Sequence, residues 1–225
     1  MSTSNWQNIS YNIDLIFRIN PQSILDIGVG FGRWGILFRE FLELWNDWNY
    51  IDKWDRIIDG VEVFPDYIKP YHKNFYNNIY FENATDFIEK TENRYDLINC
   101  GDVIEHIEKD EGLGFINRCL EVSKYVIINI PIGKYWEQGI THDNLFQRHL
   151  SIWYNSDFRK YRYNIIKKFR DLHHRKFSVI LLSKNKFEYK SNFKERFGKH
   201  FCSRNILKHV FHLKWMVEKI EKGKG

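Results

Sequence analysis

The chain has few cysteines and no long apolar runs, and both shortages exclude whole classes of protein. The cysteines are odd in number and widely spaced (Cys100, Cys119 and Cys202), which fits neither a disulfide framework nor a zinc-binding pattern. The longest apolar runs, such as VIINI and SVILL, are far too short to span a bilayer. Residues 1–20 lack the cationic start and apolar block of a secretory signal. We therefore expect a cytoplasmic protein in a reducing compartment.

Charge is divided unevenly along the chain. The net charge of +5 combines a balance of −9 over residues 1–150 with one of +14 over residues 151–225. Such asymmetry indicates that the C-terminal third faces an anionic partner, which would be nucleic acid, a membrane surface or a phosphorylated substrate. The alternative is that the acidic and basic parts complement each other within the fold.

The stretch SILDIGVGFGRWG, residues 23–35, combines a short apolar strand, an acid and three alternating glycines. Asp26 precedes Gly28, Gly30 and Gly32, and an apolar helical pattern follows directly. Glycines at such a bend remove Cβ atoms, so the backbone turns sharply and a ligand can lie against it. The dinucleotide pattern G-x-G-x-x-G, which places a pyrophosphate at a helix N-terminus, has a different spacing.

The spacing D-x-G-x-G-x-G resembles motif I of the class I S-adenosylmethionine (SAM) methyltransferases. The longer phrases DIGVGFGRWGILFREFLELW, IDGVEVFPDYI and INCGDVIEHIEKDEG resemble a family of small prokaryotic methyltransferases, many of unassigned substrate, as do IPIG at 130–133 and HLSIW at 149–153. The resemblance covers about residues 20–183. It implies SAM as cofactor, with Asp26 facing the cationic amino group and the three glycines forming the turn.

The same resemblance assigns further cofactor-binding residues at later strand ends. Glu62 would accept hydrogen bonds from both ribose hydroxyls, and Asp102 stands at the end of the fourth strand. Asn83 takes the place of an aspartate that often holds the adenine amino group, and the Ala84 amide would face the ring. Asp86 is an alternative partner for the base.

Strand and helix patterns alternate along the chain, which is typical of a parallel α/β sheet. We predict strands at 23–27, 56–64, 78–81, 94–101, 124–130, 164–169 and 176–183, and helices at 5–19, 34–44, 66–76, 108–122 and 155–161. The predicted fold is a Rossmann-like, seven-stranded, mostly parallel sheet flanked by helices. The reversal of the last strand is implied by the resemblance alone.

The predicted domain spans residues 1–185, in which residues 1–20 form a helix covering the cofactor site. Residues 186–225 form a basic extension, whose segment SRNILKHVFHLKWMVEKIEK repeats apolar residues at helical spacing. Such a helix would pack on its own domain, pack on a second subunit in a homodimer, lie on an anionic membrane or bind nucleic acid.

Methyl transfer to oxygen benefits from a base that takes the acceptor's proton. The candidates are Asp102, Glu105, His106 and His149, and His149 is our first choice. The segment D-V-I-E-H also resembles the E-x-x-E-H of small-RNA 2′-O-methyltransferases, in which acids and histidines hold a divalent metal. There, His149 or His142 would supply a later ligand. Because E-H after the fourth strand also occurs in metal-free methyltransferases, we assign no metal ligands.

The sequence thus predicts a SAM-dependent methyltransferase, with O-methylation of a small-molecule or glycan-type acceptor as the first hypothesis. The alternatives are an RNA methyltransferase, with or without a metal, and a non-catalytic SAM-binding partner subunit. Peripheral attachment to a membrane is a variant of the first hypothesis.

Overall fold

The computed structural model describes residues 5–45, 53–134, 136, 138–140 and 144–187. The chain divides into a unit of residues 1–187 and a second of residues 188–225, and every described residue belongs to the first. The predicted tail helix lies outside the described residues. No helix in the described ranges is long and apolar enough to cross a bilayer.

Seven strands form one sheet, in the order β3-β2-β1-β4-β5-β7-β6. The strands are β1 (Ser23–Ile27), β2 (Ile57–Val61), β3 (Asn78–Tyr80), β4 (Tyr95–Gly101), β5 (Ser123–Pro131), β6 (Tyr163–Arg170) and β7 (Lys176–Ser183). Strands β1 to β5 pair in parallel, and β7 runs antiparallel to both β5 and β6. The strand order reverses direction at β1, so a ligand crevice is expected at the carboxyl ends of β1 and β4.

The helices are short apart from two. They are α1 (Ile9–Ile19), α2 (Arg33–Phe38), α3 (Ala84–Lys90), α4 (Lys109–Val122) and α5 (Asn155–Arg159). The long helix α4 packs one face against the sheet, and Ile98, Ile116, Val126 and Ile128 form a fully buried core there.

Two predicted helices differ from the structure. The segment predicted as a helix over 66–76 is two 3₁₀ turns, Pro65–Tyr67 and Pro70–Asn74. Pro70 explains the break, because proline forces the preceding residue out of the helical region and Lys69 is extended. The helix predicted over 34–44 begins as α2 and continues as a π-helix over Arg39–Leu44.

The amino-terminal segment begins with a 3₁₀ turn at Trp6–Asn8 and continues as α1. Buried amides hold it to the end of β5. The side-chain nitrogens of Asn8 and Asn12 each donate to Asn129 Oδ1 at 2.8 Å, and all three residues are buried. This contact fixes the segment beside the carboxyl ends of the central strands.

Candidate active site

A cavity of about 520 Å³ opens at the carboxyl ends of the central strands. Residues Ile27–Phe31 of the glycine turn, Glu62 after β2, Asn83 after β3 and Asp102 after β4 all line it. Asn5, Trp6 and Gln7 of the amino-terminal segment line it as well. A concave site of this size at this position of the sheet is typical of a small-molecule site.

The glycine turn adopts a backbone that other residues rarely take. Gly28, Gly30 and Gly32 have φ values of 79°, 52° and 85°, in the left-handed region that favours glycine. A Cβ atom at Gly28 would also lie only 2.7 Å from the Val103 side chain. Gly28 and Gly30 line the cavity, whereas Gly32 is the N-cap of α2 and is not among the lining residues.

A buried histidine that the sequence analysis missed supports this turn. The Lys69 backbone N–H donates to His72 Nδ1 at 2.9 Å, so the ring hydrogen belongs on Nε2. His72 Nε2 then donates to the Gly30 carbonyl at 3.1 Å. His72 has no exposed surface, which makes it a rigid support for the turn.

Asp26 lies beneath the turn and is not among the residues that line the cavity. Its side chain is fully buried and accepts hydrogen bonds from Tyr76 Oη at 2.6 Å and from Asn99 Nδ2 at 2.8 Å. Burial raises the pKa of Asp26 from 3.8 to about 7, and the two hydrogen bonds oppose that rise. Tyr76 and Asn99 enclose the carboxyl group in this structure, and the expected contact between Asp26 and a ligand's amino group stays a prediction.

Glu62 lies in the cavity wall as the sequence analysis expected. Its two oxygens accept hydrogen bonds from the backbone N–H groups of Gly30, at 2.8 Å, and Phe64, at 2.9 Å. Burial raises the pKa of Glu62, and these backbone hydrogen bonds lower it. Each carboxylate oxygen keeps a further acceptor site, which a pair of ligand hydroxyls can use.

Asn83 and Ala84 also line the cavity, but the Asn83 oxygen already has partners. Asn83 is the N-cap of α3, and its Oδ1 accepts from the N–H and the hydroxyl of Thr85 at 2.8 Å each. Capping thus competes with the expected bond from an adenine amino group. The alternative partner Asp86 belongs to the first turn of α3 and is not among the lining residues.

The opposite wall holds the predicted transfer residues. Asp102 has a positive φ of 53°, and its backbone N–H donates to the Asn129 carbonyl at 2.9 Å. Glu105 is buried, and its Oε2 accepts no hydrogen bond from the described residues. Burial and the nearby Asp102 carboxylate raise the pKa of Glu105 well above its usual range.

The rings of His106 and His149 meet edge to face, with centroids 4.9 Å apart. His106 Nδ1 lies 3.0 Å from the Arg148 carbonyl, which can only accept, so Nδ1 donates and Nε2 keeps its lone pair. Burial lowers the pKa of His106 to about 4, against the effect of that hydrogen bond. Burial also lowers the pKa of His149, which a hydrogen bond to the Trp136 backbone opposes. Both rings are therefore mainly neutral at pH 7, and their lowered pKa values make them weaker bases than a free imidazole.

Glu105, His106 and His149 also form a group of potential metal ligands. One ligand atom from each lies within 4.8 Å of the other two. Carboxylate and imidazole ligands suit Mn²⁺, Zn²⁺ and similar ions. No metal ligands were predicted from the sequence, whereas within the described part of the chain this cluster could hold a metal ion. His142, the other histidine considered there, lies outside the described residues.

A second missed contact holds the segment that carries His149. Asn144 Nδ2 donates to Tyr67 Oη at 3.0 Å, and both side chains are buried in the cavity wall. Tyr67 follows β2, close to Glu62, whereas Asn144 precedes the turn at Leu145–Gln147. This contact, which we call the Tyr67–Asn144 latch, connects the segment that follows β2 with the segment that carries His149.

Comparison with known proteins gives structural matches only. No protein-family model and no curated protein matches the sequence. The N-terminal domain of EvdMO1 with SAH bound matches with a TM-score of 0.56 at 10% identity, over 81% of this chain and 83% of that chain. The same domain, solved in the presence of SAH and D-fucose, matches with a TM-score of 0.55 at 12% identity, over 81% and 85%.

Two further solved structures match over about four fifths of this chain. A SAM-dependent methyltransferase from Archaeoglobus fulgidus has a TM-score of 0.55 at 14% identity, over 79% of this chain and 93% of that chain. TehB from Haemophilus influenzae has a TM-score of 0.54 at 13% identity, over 81% and 67%. Together with the strand order and the reversed β7, these matches establish that the chain has the fold of the class I SAM-dependent methyltransferases.

Proposed function

We propose that the protein is a SAM-dependent methyltransferase that methylates an oxygen of a small-molecule or glycan-type acceptor. One observation carries the proposal. A single cavity is lined on one side by the glycine turn, Glu62 and Asn83, and on the other by Asp102, His106 and His149. The first set suits the donor, and the second suits proton removal from an acceptor.

The donor side favours a nucleoside with an attached amino acid. The Glu62 oxygens offer acceptor sites for two adjacent ribose hydroxyls, and the glycine turn leaves space for backbone contact. The buried Asp26 acts through the turn, because the charged form of its carboxyl group, whose pKa burial raises to about 7, favours a cationic amino group above the backbone. Asp26 is therefore a positioning residue in this proposal, and no direct contact is assigned to it.

The transfer step needs alignment and a base. The acceptor oxygen attacks the sulfonium methyl group, so the O–CH₃ bond forms as the S–CH₃ bond breaks and the neutral thioether leaves. The acceptor's proton passes to an imidazole nitrogen of His149, with His106 as the neighbouring alternative. Both rings are neutral, since burial lowers their pKa values. The EvdMO1 domain, a structural neighbour, was solved in the presence of SAH and D-fucose, which supports a sugar hydroxyl as the type of acceptor.

The donor site is tested by titrating S-adenosylhomocysteine into the protein in a calorimeter. Glu62→Gln replaces one acceptor by an NH₂ group that opposes a backbone donor, so we expect at least tenfold weaker binding. The matched control is Asp66→Asn, an exposed change on the next turn, which should keep wild-type affinity. Wild-type protein that binds neither SAM nor its demethylated product would refute the proposal.

The base is tested by His149→Asn and His106→Asn. Asparagine keeps a donor for the backbone carbonyl but cannot take a proton at pH 7. Loss of a general base lowers kcat by about 10² to 10⁴-fold, while affinity for S-adenosylhomocysteine should stay unchanged. If both variants keep wild-type turnover, neither histidine is the base. Cofactor binding without transfer to any acceptor would instead favour the non-catalytic partner subunit.

A metal-assisted version of the reaction is the second candidate. It is favoured by the cluster of Glu105, His106 and His149, in which a buried carboxylate oxygen accepts no hydrogen bond from the described residues. A buried carboxylate is costly unless a cation or donor satisfies it. A divalent ion there would satisfy it and would polarise an acceptor hydroxyl.

Manganese binding to the cofactor-free protein, followed by electron paramagnetic resonance, tests this version. Glu105→Gln should abolish manganese binding. The control His174→Asn replaces an exposed histidine outside the cluster, at a position with positive φ, and should leave manganese binding unchanged. Turnover lost in a chelator and restored by Mn²⁺ would support the metal. Unchanged turnover in a chelator, with no Mn²⁺ bound, would remove it. Methylation of RNA would then be judged separately, by its salt-dependent binding.

A further inference from the structure

A second cavity of about 430 Å³ adjoins the first. The two share Pro131, Trp136, Gln138 and His149 as lining residues, so the second begins where the candidate base stands. An acceptor with a hydroxyl at His149 would therefore extend its remaining atoms into this second space.

The charged lining of the second cavity has one sign. Lys134 and Arg148 line it, and no carboxylate among the described residues does. Within the described part of the chain, neither cation forms an ion pair. Neighbouring cations differ, because Lys109 is bound to Asp157 and Arg175 to Asp171 at 2.8 Å. Lys134 and Arg148 are thus available to a ligand.

The polar groups that surround these two cations are already satisfied. Leu150 N and Ser151 N donate to the Glu105 carbonyl at 2.8 Å and 3.1 Å. The Trp153 indole donates to Ser151 Oγ at 2.8 Å. Gln138 Nε2 donates to the Gln147 carbonyl at 2.7 Å. Recognition in this space therefore depends on the two cations, because one face of the Trp136 ring is already covered by the Arg175 guanidinium, 4.0 Å from the ring centroid.

We propose that Lys134 and Arg148 form a subsite for an anionic group of the acceptor, and that the acceptor is an anionic saccharide. Its phosphate or carboxylate would lie between the two side chains, with the hydroxyl to be methylated beside His149. Charge-assisted hydrogen bonds from Arg and Lys are the usual means of holding either group. The identification of the anion as part of a methyl acceptor rests on the proposed function. Binding of an anion to Lys134 and Arg148 can be measured without any methyl transfer.

The test uses the full chain saturated with S-adenosylhomocysteine, and ligand-observed NMR with glucose, glucose 6-phosphate and glucuronate. The two charged sugars separate phosphate from carboxylate as the source of the anion. We expect wild-type protein to bind at least one of them about tenfold more tightly than glucose. The double variant Lys134→Gln/Arg148→Gln should lose that preference and keep its affinity for S-adenosylhomocysteine.

The matched control is Lys160→Gln/Arg162→Gln, which removes the same two charges from surface positions that do not line either cavity. It should retain the wild-type preference. Equal affinity of wild-type protein for all three sugars, or an unchanged preference in Lys134→Gln/Arg148→Gln, would overturn the subsite. So would binding of a short single-stranded RNA that depends on these residues without any binding of the charged sugars, since that would assign the subsite to nucleic acid.

Failure of the proposed function has a different signature. In that case the protein would not bind S-adenosylhomocysteine, yet the sugar titrations repeated on the ligand-free protein would still report on the anion site.

Discussion

Replacing Tyr76 by phenylalanine removes one buried hydroxyl from beneath the glycine turn. That hydroxyl donates to Asp26 at 2.6 Å and accepts from the Gly35 N–H at 3.0 Å. A hydrogen bond to a charged acceptor contributes about 1.5–3 kcal/mol, and the loss leaves a buried carboxylate with one donor fewer. We expect Tyr76→Phe to lower the free energy of unfolding by about 2–3 kcal/mol at high pH, where Asp26 is charged.

The effect should depend on pH in a definite direction. Burial raises the pKa of Asp26 from 3.8 to about 7. The protonated form of Asp26 is the one that the folded state favours, so its contribution to the free energy of unfolding is fully present below pH 4. That contribution is lost as the pH rises through 7. The Tyr76 hydrogen bond offsets part of that loss by favouring the charged form. Tyr76→Phe should therefore destabilise the protein more at pH 8.5 than at pH 5.

Urea denaturation followed by far-ultraviolet circular dichroism at both pH values measures this difference. Tyr95→Phe is the matched control, because it removes a hydroxyl that donates to the buried Asp59 carboxylate at 3.0 Å, away from the cavity. Tyr76→Phe should also weaken binding of S-adenosylhomocysteine at pH 7, and Tyr95→Phe should not. Equal destabilisation of Tyr76→Phe at both pH values would refute the reasoning.

Four further substitutions test other parts of the structure. Gly35→Ala should destabilise the protein by about 1–3 kcal/mol, because the new Cβ would lie 2.4 Å from the buried Tyr76 ring. Gly114→Ala should instead stabilise the protein by up to about 1 kcal/mol, because its Cβ would lie in a helix with no other atom within 4 Å. Urea denaturation measures both changes. Asn144→Ala removes the Tyr67–Asn144 latch and should lower kcat about tenfold in a methyl-transfer assay while leaving affinity for S-adenosylhomocysteine unchanged. Glu43→Ala leaves two buried arginines without their shared carboxylate and should cost about 3–5 kcal/mol in the same denaturation assay, with no change in ligand affinity.

The sheet is predictable from the sequence because its signals are local. Each parallel strand is a short apolar run, and the strand ends that carry Glu62 and Asp102 follow from where those runs stop. The helix predicted over 66–76 was wrong because the apolar pattern was given more weight than Pro70. Helix α3 was missed, although Asn83 is a typical N-cap residue.

The side-chain contacts that hold the glycine turn could not be predicted from the sequence in the same way. Tyr76 reaches Asp26 across 50 residues and Asn99 reaches it across 73, so no periodicity joins them. The motif led us to expect the Asp26 carboxylate to face a ligand's amino group, and nothing local in the sequence indicates that Tyr76 and Asn99 enclose it. His72 lay in a segment predicted as an ordinary helix, and only the folded chain brings its ring under Gly30.

Asn129 binds both the amino-terminal segment and Asp102, through different atoms. Its side-chain oxygen accepts hydrogen bonds from the side-chain amides of Asn8 and Asn12, while its main-chain carbonyl accepts one from the Asp102 N–H. Any residue supplies the carbonyl, but an apolar side chain supplies no acceptor for the two amides. Asn129→Leu should thus detach the amino-terminal segment from β5 without disturbing the strand end below it, which would show whether this cavity-lining segment contributes to ligand affinity.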